Sequence, residues 1–217
     1  MKVRALLLLF VLFLFVKAAP AQSYSYSSRL HRWELTPFAG WETSGSYPIT
    51  NSTIADRLRA NAMVSFGTFI DYSLSPNFQA EFLWAHNPTS YSARGISTGQ
   101  YTKAFNTQID QYQFGGLLHF RSSEYKLRPY VSASIGFTHD ANSGGSSNRT
   151  ALGFGIGGGV KYDVTHHFGF RGDIRYLPTY GNSGTGVVCD AFGNCFQTTV
   201  RNYLKRANFS IGIILRP

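Results

Sequence analysis

The sequence has few charged residues for its length. Asp, Glu, Lys and Arg make up 14% of the chain, whereas a soluble domain usually carries about 25%. Aromatic residues instead reach 16%, and glycine accounts for 22 of the 217 residues. This composition fits a barrel that meets lipid better than it fits a water-soluble sandwich.

Long apolar runs are also missing after residue 21. A transmembrane helix needs about 20 consecutive apolar residues, and no such run follows. The net charge is +9, but the Lys and Arg residues are scattered along the chain. A nucleic-acid-binding protein clusters its basic residues on one face, so we expect no nucleic-acid partner.

The N-terminus has the features of an export signal. Lys2 and Arg4 precede the apolar run 5–16, and small residues follow at Ala19 and Ala21. The run is too short to span a bilayer as a helix, which disfavours the alternative of an uncleaved anchor. We predict a signal peptide over 1–21, cleaved before Gln22 or, alternatively, after Ala18 or Ala19. A short periplasmic segment over 22–32 would then precede a barrel over 33–217.

The remaining chain repeats a two-residue alternation of apolar and small or polar side chains. In one segment, Tyr112, Phe114 and Leu118 fall on one face, opposite Gln111 and Gln113. A period of two over about ten residues is typical of a transmembrane β-strand. The alternation predicts eight strands, over residues 33–41, 63–72, 77–85, 111–120, 128–138, 151–163, 167–176 and 207–215.

The connections between these segments alternate in length. They are long at 42–62, 86–110, 139–150 and 177–202, and short at 73–76, 121–127 and 164–166. Outer-membrane barrels have short periplasmic turns and longer outside loops. The sequence therefore predicts an all-β fold, an eight-stranded antiparallel up-and-down transmembrane β-barrel. The rival is a soluble lipocalin-like barrel, which would need the apolar faces turned inward.

Three stretches carry a resemblance to a known family. They are Thr36-Pro37-Phe38-Ala39-Gly40, Arg128-Pro129-Tyr130 and the glycine-rich sixth predicted strand, 151–163. The chain resembles the bacterial outer-membrane β-barrel family that includes the OmpA-type transmembrane domain and small porin-like proteins. Full OmpA-type proteins also carry a peptidoglycan-binding domain, and we expect none here because the chain stops at Pro217. The signal peptide and the lipid-facing strands make the outer membrane of a Gram-negative-type bacterium the expected location. Leu215-Arg216-Pro217 departs from the terminal aromatic residue that many such barrels present.

Several charged residues fall on the inward faces of the predicted strands. Unpaired charges in so narrow an interior would be costly, so we expect them to pair. Their network would either lock the barrel as a plug or line a small ion-conducting path. The predicted lumen charge network consists of Glu34, Asp71, Glu81, Lys161, Arg171, Asp173 and Arg175.

Cys189 and Cys195 are the only cysteines. An exported chain meets an oxidising compartment, so we predict a disulfide that holds the last long loop in shape. Two cysteines without a nearby histidine make a poor zinc site.

No residue pattern predicts an enzyme, a metal site or a cofactor. Glycines 153–158 have a dinucleotide-fingerprint spacing, but they recur at period two inside a predicted strand. A lipid hydrolase would need Ser, His and an acid together at one rim. His86 with Ser90, or His139 with Ser143, would be the candidates, and neither pair forms a recognisable signature.

The sequence therefore predicts a small barrel with a structural or surface-interaction role. Its partners would be outer-membrane lipid and lipopolysaccharide, with a possible surface ligand at the long loops, and we expect a monomer. The alternatives are a narrow porin for small ions or solutes and, more distantly, an outer-membrane lipid-modifying enzyme.

Overall fold

The computed structural model describes residues 32–48, 55–142, 149–180, 185–189, 195–199 and 205–217. Within that part of the chain no helix is long and apolar enough to cross a membrane. The predicted signal peptide lies outside the described residues, and so do residues 22–31 of the predicted periplasmic segment. The described strands are β1 (Trp33–Ser44), β2 (Ser46–Pro48), β3 (Ala55–Ala60), β4 (Met63–Ser75), β5 (Phe78–Gly95), β6 (Tyr101–His119), β7 (Leu127–Asn142), β8 (Arg149–Asp163), β9 (Phe168–Tyr176), β10 (Thr179–Tyr180), β11 (Thr185–Cys189), β12 (Cys195–Thr199) and β13 (Arg206–Leu215).

Eight of these strands close into a barrel. Going around it, the order is β1, β4, β5, β6, β7, β8, β9 and β13, and β13 pairs with β1 again. Every pairing is antiparallel, and apart from the closing pair of β13 with β1 each joins barrel strands that are consecutive along the chain. Each of the eight predicted segments lies on one of these strands, so the predicted eight-stranded antiparallel barrel is confirmed.

The two faces of the strands have opposite environments. Along β1 the side chains alternate strictly, with Glu34 and Thr36 buried and Trp33 and Leu35 exposed. Among the described residues, the most exposed large apolar side chain is Ile211 of β13, at 73%. A water-soluble fold would bury such residues and expose the charges. The apolar face therefore points outward, as expected for a barrel surrounded by lipid.

One end of the barrel carries the short turns, and we call it the turn end. The chain reverses there at Pro76–Asn77, and proline and asparagine suit such tight turns. Arg32 and Arg216 also lie at this end, since Arg32 accepts a backbone hydrogen bond from Ser73 and Arg216 donates one to His167. The long connections leave from the opposite end, which we call the loop end.

The long loops predicted from the sequence are wrong in part, because each of the four contains strand residues. Most of 86–110 is strand, because β5 continues to Gly95 and β6 begins at Tyr101. Gly99 closes this hairpin with a φ of 64°, a conformation that glycine adopts easily. The predicted loop 42–62 likewise contains β2 and β3. These strands have no apolar face, so the hydrophobic alternation could not reveal them.

The additional strands build a small sheet beyond the loop end of the barrel. β2 pairs with β3, β3 pairs with the outer part of β5, and β5 pairs with the outer part of β6. We call β2, β3 and residues 89–95 and 101–107 the outer extension. The predicted loop 177–202 also contains strand, in β10, β11 and β12.

Candidate functional site

The lumen holds a network of buried charges, and Lys161 of β8 occupies one of its centres. Its Nζ atom donates to Glu34 Oε2 at 2.6 Å, to Asp71 Oδ2 at 2.7 Å and to Gln79 Oε1 at 2.6 Å. The side chains of Lys161 and Asp71 are 0% exposed. All three donor positions of the ammonium group therefore have an acceptor, which is what burial of a lysine requires.

Arg171 of β9 forms the second centre. Its guanidinium group donates to Asp71, Glu81 and Asp173, and its Nε atom donates to the hydroxyl of Tyr130 at 2.8 Å. The same guanidinium lies over the ring of Phe69, with 3.6 Å between the guanidinium carbon and the ring centroid. A planar group that stacks and donates at once is a role for arginine that lysine cannot fill.

Arg175 completes the central network. It donates to both carboxylate oxygens of Glu81, at 2.7 and 3.3 Å, and to both oxygens of Asp173, at 3.2 and 3.1 Å. Such two-point contacts fix the position of the guanidinium group as well as its charge. The structure thus joins every residue of the predicted lumen network, namely Glu34, Asp71, Glu81, Lys161, Arg171, Asp173 and Arg175.

Three further charges at the turn end were missed by the sequence reasoning. Arg128 donates to Asp163 at 2.9 Å and to Glu34 at 3.3 Å. Arg216 donates to Glu34 at 3.0 Å and also pairs with Asp163. Burial acts to lower the pKa of Arg216, but the nearby carboxylates of Glu34 and Asp163 raise it above its usual value. Arg128 is the first residue of the predicted segment 128–138 and shares the inward parity of Tyr130, and Arg216 lies one residue beyond the predicted segment 207–215, so the inward alternation could have identified both arginines.

A separate polar cluster fills the lumen near the loop end. Glu42 Oε2 accepts from Gln111 at 2.8 Å, and Glu42 Oε1 accepts from Arg206 at 3.4 Å. Arg206 also donates to Thr179 at 2.8 Å and to Thr138 at 3.1 Å. The predicted strands stopped at residue 41 and began at 207, so Glu42 and Arg206 were each missed by a single position.

Of the two candidate Ser–His pairs, His86 with Ser90 does not form, and His139 with Ser143 lies partly outside the described residues. His86 Nδ1 lies 2.7 Å from Asp110 Oδ1, while the hydroxyl of Ser90 accepts from Asn61. His139 contacts the hydroxyl of Thr150 at 2.9 Å, and Ser143 lies outside the described residues. Among the described residues, no group of three His, Cys, Asp or Glu side chains is placed to hold a metal ion.

The remaining sequence motifs also have defined places. The glycines of the apparent dinucleotide fingerprint lie inside β8, where no helix follows. A Cβ atom at Gly159 would lie 2.1 Å from the carbonyl oxygen of Gly172, so the glycine permits close packing there. Cys189 and Cys195 are opposite one another in the β11–β12 pair. The disulfide between them stays a prediction, which thiol alkylation with and without prior reduction would test.

A closed antiparallel barrel with an apolar outer face and a charged, packed interior defines a transmembrane protein of the outer-membrane type. The family model for the outer membrane protein beta-barrel domain matches residues 7–212. The chain therefore belongs to this family, and its location is the outer membrane of a Gram-negative-type bacterium. No curated protein matches the chain in sequence.

Solved structures of outer-membrane proteins are similar to this barrel. Neisserial surface protein A (NspA) is 12% identical over 85% of this chain and 97% of its own, with a TM-score of 0.58. OprG from Pseudomonas aeruginosa is 12% identical over 84% and 93%, with a TM-score of 0.53. AlkL, solved in DMPC lipid bilayers, is 13% identical over 85% and 90%, with a TM-score of 0.51. At these identities the likeness shows the fold alone.

Proposed function

We propose that this protein is a structural barrel with a closed lumen, which meets its surroundings through the loop end and performs no catalysis. The observation that supports this proposal most strongly is the direction of the buried ion pairs. Several of them join strands on opposite walls of the barrel. A bond of this kind crosses the whole interior, where it both braces the wall and blocks the path along the axis.

Three pairs of strands are joined in this way, and Arg175 adds a second bond between β9 and β5 because it also meets Glu81. Lys161 of β8 meets Asp71 of β4, and Arg171 of β9 meets Glu81 of β5. Arg128 of β7 meets Glu34 of β1. In the order of the closed sheet each pair of strands is four positions apart, which is half of the way around an eight-stranded barrel. An eight-stranded barrel is only just wide enough for side chains to fill, so these bonds leave little room for solutes.

A narrow porin is the second candidate, and one observation favours it. The hydroxyls of Thr36, Ser65, Ser132 and Ser210 are buried in the lumen without a hydrogen-bond partner among the described residues. Unpaired hydroxyls are the groups that a thin hydrated path would use. This path would have to pass the ion pairs that bridge the walls, and for that reason we favour the closed lumen.

Single-channel recording in planar lipid bilayers tests the proposal. We expect the purified barrel to give a quiet membrane, because paired buried charges resist opening. The variant Glu81→Ala/Arg171→Ala should show conductance steps, since it removes a bond across the lumen together with both of its charges. A matched control is Glu124→Ala/Arg121→Ala, which removes the same charges from an exposed turn and should stay quiet. Conductance steps from the unmodified protein would refute the closed lumen and support the porin.

A further inference from the structure

The outer extension presents an unusual set of cations on one side of its sheet. Arg59 of β3 is opposite Ser92 of β5, which in turn is opposite Lys103 of β6. In the next row Arg57 is opposite Arg94. Side chains directly opposite one another in antiparallel strands point to the same side of the sheet. The two rows therefore place their basic residues on one common face.

This face continues the lipid-facing surface of the barrel. In β5 the residues Leu83, Ala85 and Asn87 are buried in the lumen, so the alternate positions 84, 86 and 88 point outward. The alternation carries on to Ser90 and Ser92. Asn61 donates to both of these hydroxyls, at 2.9 and 3.0 Å, which places them on the same side. The cations thus lie above the lipid, beside the barrel.

Three of these cations are exposed and have no ionic partner among the described residues. They are Arg57, Arg59 and Lys103. Arg94, which is opposite Arg57, is half-buried. Exposed cations such as Arg57 and Arg59 attract anions, and arginine suits phosphate because it can donate two parallel hydrogen bonds to it.

We propose that this face binds the phosphorylated sugars of a neighbouring lipopolysaccharide molecule in the outer leaflet. The inference deepens the proposed surface-interaction role and rests on it. The location supports this choice of partner, because a ligand that binds the lipid-facing side of the barrel must itself be a component of the membrane next to it. The chemistry agrees with it, because the cations match phosphate while Asn61, Ser90 and Tyr101 offer hydrogen bonds to sugar hydroxyls. We name these residues, together with Arg57, Arg59, Ser92, Arg94 and Lys103, the glycolipid face.

The experiment compares the affinity of the folded full-length barrel, purified in detergent, for fluorescent lipopolysaccharide with a phosphorylated inner core. The test variant is Arg57→Gln/Arg59→Gln/Lys103→Gln. The control variant is Arg32→Gln/Arg121→Gln/Lys126→Gln, which removes equal charge from exposed positions at the turn end. Each of the three cations attracts the anionic lipid surface, so we expect the test variant to bind at least about tenfold more weakly. The control should bind like the unmodified protein.

Two further ligands identify what is bound. Lipopolysaccharide stripped of its phosphates should bind the unmodified barrel about as weakly as the phosphorylated form binds the test variant. Inorganic phosphate should be a poor competitor, because it lacks the sugar contacts. Effective competition by inorganic phosphate would mean a simple anion site and would overturn the glycolipid proposal. Equal losses in the test and control variants would overturn it too, because the effect would then be one of net charge.

Folding is checked by the shift in gel migration between unboiled and boiled samples. If the triple variant fails to fold, Arg59→Gln alone serves as the second variant, with Arg121→Gln as its control. Unchanged lipopolysaccharide binding in a folded Arg59→Gln protein would also refute the proposal. The outcome is separable from that of the closed lumen. A barrel that conducts but binds lipopolysaccharide through this face would refute only the closed lumen, and a quiet barrel with unchanged binding in the variants would refute only the glycolipid face.

Discussion

The lumen and the outer extension use the same basic side chains in opposite ways. Arg171 is 1% exposed and donates to four side chains within the barrel. Arg57 and Arg59 are exposed on the outer extension, without ionic partners among the described residues. The buried charges of the lumen network are ion-paired, whereas water can solvate an exposed charge that has no ionic partner.

This difference teaches where a charge contributes to stability and where it remains available to a ligand. A buried ion pair stabilises the fold little more than a well-packed apolar pair would. Removing one partner, however, is strongly destabilising, because the remaining charge is buried where water cannot solvate it. An exposed cation contributes little to folding. We therefore expect substitutions in the lumen to change stability and substitutions on the glycolipid face to change binding.

The largest effect is expected from Lys161→Met. It leaves Glu34, Asp71 and Gln79 without their shared donor, so the free energy of unfolding should fall by about 3–5 kcal/mol. Denaturant unfolding of the barrel in lipid vesicles measures this change. Lys126→Met removes the same side chain from an exposed turn and should alter stability by no more than about 0.5 kcal/mol. Equal effects of the two substitutions would mean that the network does not hold the barrel together.

A double-mutant cycle sharpens the comparison. Once Lys161→Met is present, Asp71→Leu should cost less than it does alone, because it removes a carboxylate that the first substitution left unpaired. We expect a coupling free energy of about 1–3 kcal/mol from the same unfolding measurement. Strict additivity would show that the two side chains do not interact across the lumen.

Crowding inside the barrel gives an effect of moderate size. In Gly159→Ala the new methyl group would lie 2.1 Å from the carbonyl oxygen of Gly172 and 2.5 Å from the hydroxyl of Tyr130. Overpacking of this kind costs about 1–3 kcal/mol. Gly172→Ala is the matched control, since its nearest atom would be Val160 Cγ1 at 3.8 Å. If the control proves the more damaging of the two, the interior is not packed as described.

The smallest change in stability is expected on the outer extension. Arg59→Gln/Lys103→Gln should shift the free energy of unfolding by no more than about 0.5 kcal/mol, as substitutions at exposed positions usually do. Urea titration without added lipopolysaccharide is the appropriate measurement. A loss comparable to that of Lys161→Met would show that these cations hold the fold together, and the contrast between the two regions would disappear.

The sequence revealed the transmembrane strands better than the strands beyond them. Inside the membrane one face of each strand must be apolar, so the period of two was visible and all eight strands were predicted. The outer part of β5, from His86 to Gly95, is polar on both faces and contains Pro88. It is nevertheless strand because it pairs with β3 and β6, and such pairing depends on distant residues that the local pattern does not reveal.

The sequence by itself determined the number of barrel strands, the face that each turns to lipid and the seven charges of the central lumen network. These features follow from the alternation of side chains along a strand, which is a local property of the chain. Only the tertiary structure decided which charges meet. Lys161 and Asp71 are 90 residues apart, as are Arg171 and Glu81. Their contact depends on how the sheet closes and on the stagger of its strands, because closure brings opposite walls within the reach of one side chain.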